Sequence, residues 1–199
     1  MKQGTWKKLG VEVFSIVFAV LLALVLNHWR EDVLDRKSSN HALQNVLIEI
    51  ATNRQDLVQE VENLDTLIHQ LKGRLGQLKE GQESDAGLGI SFTLLSHSAW
   101  EMAQVTGAVK NFDLDFLMNV SELYEFQEIC HDNGLSIIDR INTMSYSKEI
   151  DQEVMITSMI RQLQVQKRWV EDLANAYKKL LQEHPGLVES HLPDSLQLI

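Results

Sequence analysis

The most apolar segment of the chain lies near the N-terminus, between positions 9 and 26. Eighteen helical residues at a rise of 1.5 Å each reach about 27 Å, and a helix from Trp6 to Trp29 reaches about 34 Å. That length is enough to cross the hydrocarbon layer of a bilayer. Tryptophan near both ends suits the two membrane interfaces. The pattern predicts a basic tail and transmembrane anchor over residues 1–30.

The polar and small residues of this run indicate a role beyond attaching the domain to the membrane. Glu12 is the ionisable residue inside it, and is either a functional group or an interfacial carboxylate paired with Lys8 at i−4. Small side chains recur every four residues on one helix face, which would let two helices approach closely. The candidate anchor residues are Trp6, Glu12, Ser15, Ala19, Ala23, Asn27 and Trp29.

The run is interpreted as an uncleaved anchor, because it passes directly into Asn27-His28-Trp29-Arg30 without a small-x-small cleavage site. Three basic residues flank each end: Lys2, Lys7 and Lys8 before it, and Arg30, Arg36 and Lys37 after it. The count of basic residues is therefore equal. The short basic tail favours a cytoplasmic N-terminus with the main domain in the periplasm.

A strict heptad pattern follows the anchor. Apolar residues recur at spacings of four and three from Leu43 to Leu78, the mark of a helix that packs along one left-handed seam. The residues of this heptad seam are Leu43, Leu47, Ile50, Arg54, Leu57, Val61, Leu64, Ile68 and Leu71, with Leu75 and Leu78 continuing it. Arg54 is the charged exception. The seam packs either against other helices of the chain or against a second copy in a parallel dimer.

The rest of the chain also has helical periodicity. The predicted helices span about 31–79, 98–106, 113–146 and 148–184, with a loop over 80–97 and a tail over 187–199. Ser98-x-x-Glu101 is typical of a capping box, and Asp113 or Asn111 of the next cap. Asp132-Asn133-Gly134 is a candidate break. The predicted fold is all-α: an N-terminal transmembrane helix and an antiparallel helical bundle with long coiled-coil-like helices, over residues 31–186.

Composition and charge limit the classes of partner to expect. The net charge is −10 and basic residues do not cluster beyond the first eight positions, which argues against nucleic acid. The expected partners are the lipid bilayer and either a second copy or another membrane protein. The single cysteine, Cys130, allows no intramolecular disulfide and is interpreted as a small buried hydrophobe.

Few residues suggest chemistry. Glu128-x-x-His131 matches half of a di-iron motif, but the second half is missing. His97 between Ser96 and Ser98 lacks a nucleophile elbow, and helix capping explains these serines better. The sequence therefore predicts no catalytic, metal-binding or cofactor-binding residues. Five aromatic residues lie close together in sequence and either line a pocket or fill the core: Trp100, Phe112, Phe116, Tyr124 and Phe126.

The anchor resembles that of an uncharacterised family of bacterial single-pass membrane proteins. The resemblance lies first in Glu12, Asn27, Trp29 and Glu31. It continues through Ser98, Ala99, Trp100, Thr106-Gly107, Asp113, Leu117 and Tyr124, and so touches about half of the chain. It implies a location in the bacterial inner membrane and a helical fold, and transfers no active site.

These features together favour a non-enzymatic bitopic membrane protein that presents a helical domain for protein–protein or self-association. The alternative is a membrane-anchored helical domain that senses a ligand near Trp100 and Tyr124.

Overall fold

The computed structural model describes residues 3–81, 90–146 and 151–197, with side chains over 14–81, 90–143 and 151–196. These residues are helical apart from short connections, and no strand occurs among them. The all-helical prediction is therefore confirmed for this part of the chain. Both prolines, Pro185 and Pro193, lie beyond the long helices, so neither can interrupt them.

The first helix, α1 (Gln3–Lys79), contains both the apolar run and the heptad seam without a break. It continues without interruption through Gly73 and Gly76. Side chains 14–38 are exposed; contact with the rest of the chain begins at Asp35, which pairs with Lys110, and burial begins at Ser39. By length and composition, one helix of the described residues is apolar enough to cross a membrane, and it is this one.

Shorter and longer helices follow α1. They are α2 (Ser98–Val105), a short 3-10 helix (Ala108–Asn111), α3 (Leu114–Tyr146), α4 (Gln152–Glu183), α5 (Pro185–His191) and α6 (Asp194–Gln197). Residues 187–199 were expected to be an irregular tail, but the described part of that tail is mostly helical.

Local capping sets the starts of the two long later helices. Asp113 caps α3 as predicted, since its Oδ1 accepts the backbone N–H of Asp115 at 3.0 Å and of Phe116 at 3.2 Å. Asp151 caps α4 by accepting the N–H of Glu153 at 2.9 Å. The expected start of this helix at Lys148 lies outside the described residues.

The expected break at Asp132-Asn133-Gly134 does not occur, because α3 runs through it without interruption. Gly134 instead serves close packing. A Cβ at this position would lie 3.3 Å from a ring carbon of Phe92 and 3.3 Å from the amide nitrogen of Gln166. The glycine thus allows α3 to approach both the segment before α2 and the side of α4.

The heptad seam is covered within the chain by α4. Lys79 pairs with Glu153 at 3.3 Å and Lys167 with Asp65 at 2.7 Å, so the two helices run in opposite directions. Most seam side chains are buried, and Arg54 and Val61 are half-buried. The apolar residues of α4 at matching spacing complete this core: Ile156, Ile160, Leu163, Val170, Tyr177 and Leu180.

The remaining elements pack around this pair. α3 lies on α4, where Asn133 donates to the side-chain oxygen of Gln166 at 2.6 Å and Gln166 donates to the carbonyl of Cys130 at 3.2 Å. α2 and the 3-10 helix lie on α1, where the hydroxyl of Ser39 donates to the carbonyl of Ala108 at 2.8 Å. Between these two groups of elements the packing is incomplete.

Candidate functional site

A cavity of about 580 Å³ occupies this incompletely packed region. We call residues 90–97 the roof segment. The cavity is lined by the roof segment, by α2 and α3, and by side chains of α1 and α4. Its volume lies within the range of about 300–1,000 Å³ typical of small-molecule sites.

Much of the lining is apolar. It includes Leu57 of α1, Phe92 and Leu95 of the roof segment, Trp100 of α2 and Leu135 of α3. The ring of Trp100 stacks on that of Tyr124, which also lines the cavity, with centroids 5.6 Å apart and planes 4° apart. Such a lining would hold an apolar body and exclude water from it.

The five aromatic residues singled out in the sequence therefore divide. Trp100 and Tyr124 line the cavity and are buried. Phe116 is a buried core residue, and Phe112 and Phe126 are partly buried against that core. Both interpretations of the aromatic cluster thus apply, each to different members.

Glu49 of α1 is the hydrogen-bonding centre that holds the start of α2. Its two carboxylate oxygens accept the backbone N–H of Ala99 at 2.9 Å and of Trp100 at 3.2 Å. They also accept the hydroxyl of Tyr124 at 2.6 Å, of Ser96 at 2.6 Å and of Ser98 at 3.3 Å. A carboxylate at a helix N-terminus also meets the positive end of the helix dipole.

These contacts decide the ionisation of Glu49 and of its tyrosine partner. Burial by itself raises the pKa of Glu49, but the hydrogen bonds from Ala99, Ser96, Tyr124 and Trp100 outweigh burial and lower the pKa below its ordinary value of 4.5. Burial, and then the bond to Glu49, raises the pKa of the Tyr124 phenol. The pair is therefore a carboxylate and a neutral phenol near pH 7.

The start of α2 is therefore capped differently from the prediction. The helix begins at Ser98 as expected, but its N-cap residue, His97, makes no side-chain cap. The hydroxyls of Ser96 and Ser98 donate to Glu49, and Glu101 lies 3.8 Å from His97. Glu49, which is distant in sequence, thus replaces the local capping box.

A second polar contact set holds the roof segment one turn further along α1. Asn53 donates to the carbonyl of Ser96 at 2.7 Å and accepts its N–H at 3.0 Å. Gln127 of α3 donates to the same carbonyl at 3.2 Å, and Tyr177 of α4 donates to Gln127. Ser96 is thereby fixed directly to α1 and α3, and through Gln127 to α4.

Glu60 is the exception among the polar residues that are buried as a whole, although single buried atoms of the half-buried Gln162 and His184 also lack a partner. It lines the cavity and is only 4% exposed. Its Oε2 accepts the hydroxyl of Thr93 at 2.6 Å, whereas its buried Oε1 has no hydrogen-bond partner. Each other buried polar residue of the described part makes side-chain hydrogen bonds that account for it: Ser39, Glu49, Asn53, Gln127 and Gln166.

Glu128 and His131, the half di-iron motif, also line the cavity. Within the described ranges, no group of three or more histidine, cysteine, aspartate and glutamate residues is placed to hold a metal ion. Cys130 is buried as predicted, and burial, followed by the charge of Asp172, raises the pKa of its thiol to about 11. The thiol is therefore protonated near neutral pH.

The anchor residues lie apart from this site. The side chains of Trp6 and Glu12 are outside the described residues. Ser15, Ala19 and Ala23 lie on the exposed part of α1, and Trp29 is 65% exposed. Asn27 donates to Glu31 at 2.9 Å, one helical turn away. The anchor residues and part of the cavity lining thus lie on the same helix, but none of the described anchor residues lines the cavity.

Sequence reasoning missed Glu49, Asn53 and Glu60. In the heptad register Glu49 occupies a c position, and Asn53 and Glu60 occupy g positions beside the a/d seam, where polar side chains are usually solvated. In the structure, positions 46, 53 and 60, which are spaced by seven residues, are all buried. Asn53 and Glu60 of this second stripe, and Glu49 beside it, bind the roof segment and α2 through contacts between residues 33–50 positions apart in sequence.

No protein-family model, no curated protein and no solved structure matches the chain. The interpretation of the cavity therefore depends on its own geometry and chemistry.

Glu49→Gln is expected to lower the free energy of unfolding at pH 7 by about 1–3 kcal/mol, because an amide cannot accept all the bonds that the carboxylate accepts. A carboxyl whose pKa is lowered by folding stabilises above its unfolded pKa, and this contribution is lost as pH falls through the folded value. The difference between wild type and variant should therefore shrink below pH 4.5. Urea unfolding in detergent between pH 3 and 7 measures it.

The control is Glu122→Gln, since Glu122 is exposed on α3. Its unfolding free energy should follow that of wild type at every pH. A Glu49→Gln difference that stayed constant or grew at low pH would contradict the assigned role of the carboxylate.

Proposed function

We propose that the protein is a non-enzymatic, membrane-anchored helical domain that binds a small molecule in the cavity between the roof segment, α2 and α3. The observation that carries this proposal is a mostly apolar cavity of small-molecule size, lined by a buried carboxylate that has one unpartnered oxygen. Native interiors pack closely and satisfy their buried polar groups, so a cavity with such a group is a default binding site.

The proposal includes the finer architecture. We regard residues 31–186 as an antiparallel bundle with coiled-coil-like helices, in which α4 takes the place of the seam's partner helix. Ion pairs of Lys79 with Glu153 and of Lys167 with Asp65 support this interpretation. Because Ser96 is fixed to Asn53 and Gln127, the roof segment holds the cavity open instead of collapsing into it.

A screen of water-soluble metabolites against the full chain in detergent should find compounds that raise its melting temperature. A ligand at about 100 times its Kd adds about 2.7 kcal/mol to stability. For a chain of this size that corresponds to roughly 5–10 °C. Leu135→Trp places a bulky ring in the cavity lining and should abolish the shift.

Leu114→Trp is the matched control, because Leu114 is exposed at the start of α3 and does not line the cavity. It should keep the full shift. The proposal would be abandoned if a broad screen gave no shift, or if Leu135→Trp and Leu114→Trp responded alike.

The location is proposed from the apolar segment and the family resemblance. We place the N-terminal helix across the bacterial inner membrane, with the N-terminus in the cytoplasm and the domain in the periplasm. The exposure of side chains 14–34 supports the insertion of this helix in a membrane, since so many apolar groups facing water would be unfavourable. The orientation is proposed from the short basic N-terminal tail alone.

Leu21→Arg should shift part of the protein from the membrane fraction to the soluble fraction. A charged residue at the centre of a spanning helix costs about 2.5–3.5 kcal/mol on insertion scales. Leu34→Arg, on the same helix beyond the anchor, should leave the distribution unchanged. Fractionation after carbonate washing measures both, and protease added to intact spheroplasts should digest the domain. Equal distributions for the two variants, or full protection from protease, would contradict the placement.

Self-association is the second candidate function. The seam that suggested it is covered by α4, so the membrane helix is the remaining feature singled out in the sequence that favours a second copy. There Ser15, Ala19 and Ala23 form an exposed face of small side chains, a face that permits close helix packing in bilayers.

Ala19→Leu should weaken such a dimer by about tenfold or more, because a larger side chain separates the two backbones. Val17→Leu, on the opposite face of the helix, should have little effect. Sedimentation equilibrium of the full chain in detergent measures both. A wild-type chain that remained monomeric at the highest accessible concentration would rule out this candidate function.

A further inference from the structure

The charged lining of the cavity has one sign. Glu60, Glu101, Glu125, Glu128 and Asp132 line it, whereas no lysine or arginine of the described residues does. The remaining ionisable side chains of the lining are His97, His131, Tyr124 and Cys130. A concave surface lined by charges of one sign concentrates counter-ions of the other sign. The cavity therefore favours a positively charged occupant and disfavours an anion.

Glu60 gives this preference a definite place. Its Oε2 is held by the hydroxyl of Thr93, which fixes the carboxylate at the point where the roof segment crosses α1. Its Oε1 is buried and lacks a donor. A buried acceptor without a partner is unfavourable, and a charged donor makes the strongest hydrogen bond to a carboxylate.

Glu49 shows that this fold can supply hydrogen-bond donors to a buried carboxylate. Glu49 lies on the same helix and is also buried, yet it accepts bonds from five groups of the protein. Glu60 receives one. The protein thus supplies donors to both oxygens of Glu49, whereas Glu60, which lines the cavity, keeps one buried oxygen without a donor.

We infer that the cavity binds an amphiphilic cation, in which an ammonium group donates to Glu60 Oε1 and an apolar body contacts Leu57, Phe92 and Trp100. This inference rests on the proposed function and adds the chemical class of the ligand. Thr93 is a positioning residue, because it holds the carboxylate and leaves its second oxygen for the ligand.

Three probes with the same apolar body test the inference: 3-phenylpropylamine, 3-phenylpropan-1-ol and 3-phenylpropanoate, which at pH 7 are a cation, a neutral donor and an anion. Ligand-detected NMR titration of the full chain in lipid nanodiscs measures their affinities. The amine should bind about tenfold more tightly than the alcohol, as expected for one added charge-assisted hydrogen bond, and the anion most weakly.

Glu60→Gln should reduce the affinity for the amine by about tenfold and change that for the alcohol much less, because only the amine loses an ionic partner. Glu62→Gln, at an exposed position of the same helix, should change neither. The comparison of the three probes on wild type stands even where Glu60→Gln fails to fold.

The outcomes separate the inference from the proposed function. If the alcohol binds as tightly as the amine, or if the anion is preferred, the cation inference is overturned and the cavity remains a binding site. If none of the probes binds at millimolar concentration while the protein is folded, the cation inference is overturned, and the metabolite screen alone decides the proposed function. A preference for the amine that survives in Glu60→Gln would overturn the role of Glu60.

Discussion

The hydrogen-bonded carboxylate of Glu49 is the interaction on which the rest of the site depends. Burial of a carboxylate is unfavourable unless donors replace its water, and here two backbone amides and three hydroxyls do so. Because those donors come from residues 96–100 and from Tyr124, satisfying one charge fixes the end of the roof segment, the start of α2 and one face of α3. The cavity is the space that this arrangement leaves unfilled.

The relative position of Glu49 and Glu60 follows from helix geometry. They are eleven residues apart, which is close to three full turns, so both side chains leave α1 in nearly the same direction. Both therefore meet residues 93–100. Glu49 meets the first turn of α2, where free N–H groups are available, and Glu60 meets the irregular roof segment, where Thr93 supplies one donor. Glu49 therefore has five donors and Glu60 has one, because different elements lie opposite the two side chains.

The parts of this fold that periodicity controls could be predicted from the sequence. The heptad spacing located the buried face of α1, and Asp113 located the start of α3. Asp132-Asn133-Gly134 misled, because Gly134 avoids a clash with Phe92 instead of ending a helix. Glu49 and Glu60 could not be predicted as partners of Ser96 and Thr93, since a polar residue beside a seam is normally solvated and its distant partner leaves no local pattern.

Because α1 is continuous, it fixes the distance between the membrane segment and the cavity, and so the route open to the proposed ligand. Trp29 and Glu60 lie on one unbroken helix, 31 residues apart, which at 1.5 Å per residue is about 46 Å. If residues 9–26 cross the bilayer as proposed, the cavity lies well beyond the lipid headgroups, and a molecule dissolved in the bilayer would not reach it. The occupant must then travel through water, which limits the size of its apolar part. A compact amphiphilic cation meets that limit, whereas a long-chain lipid does not, and the cavity volume of about 580 Å³ agrees with the smaller body.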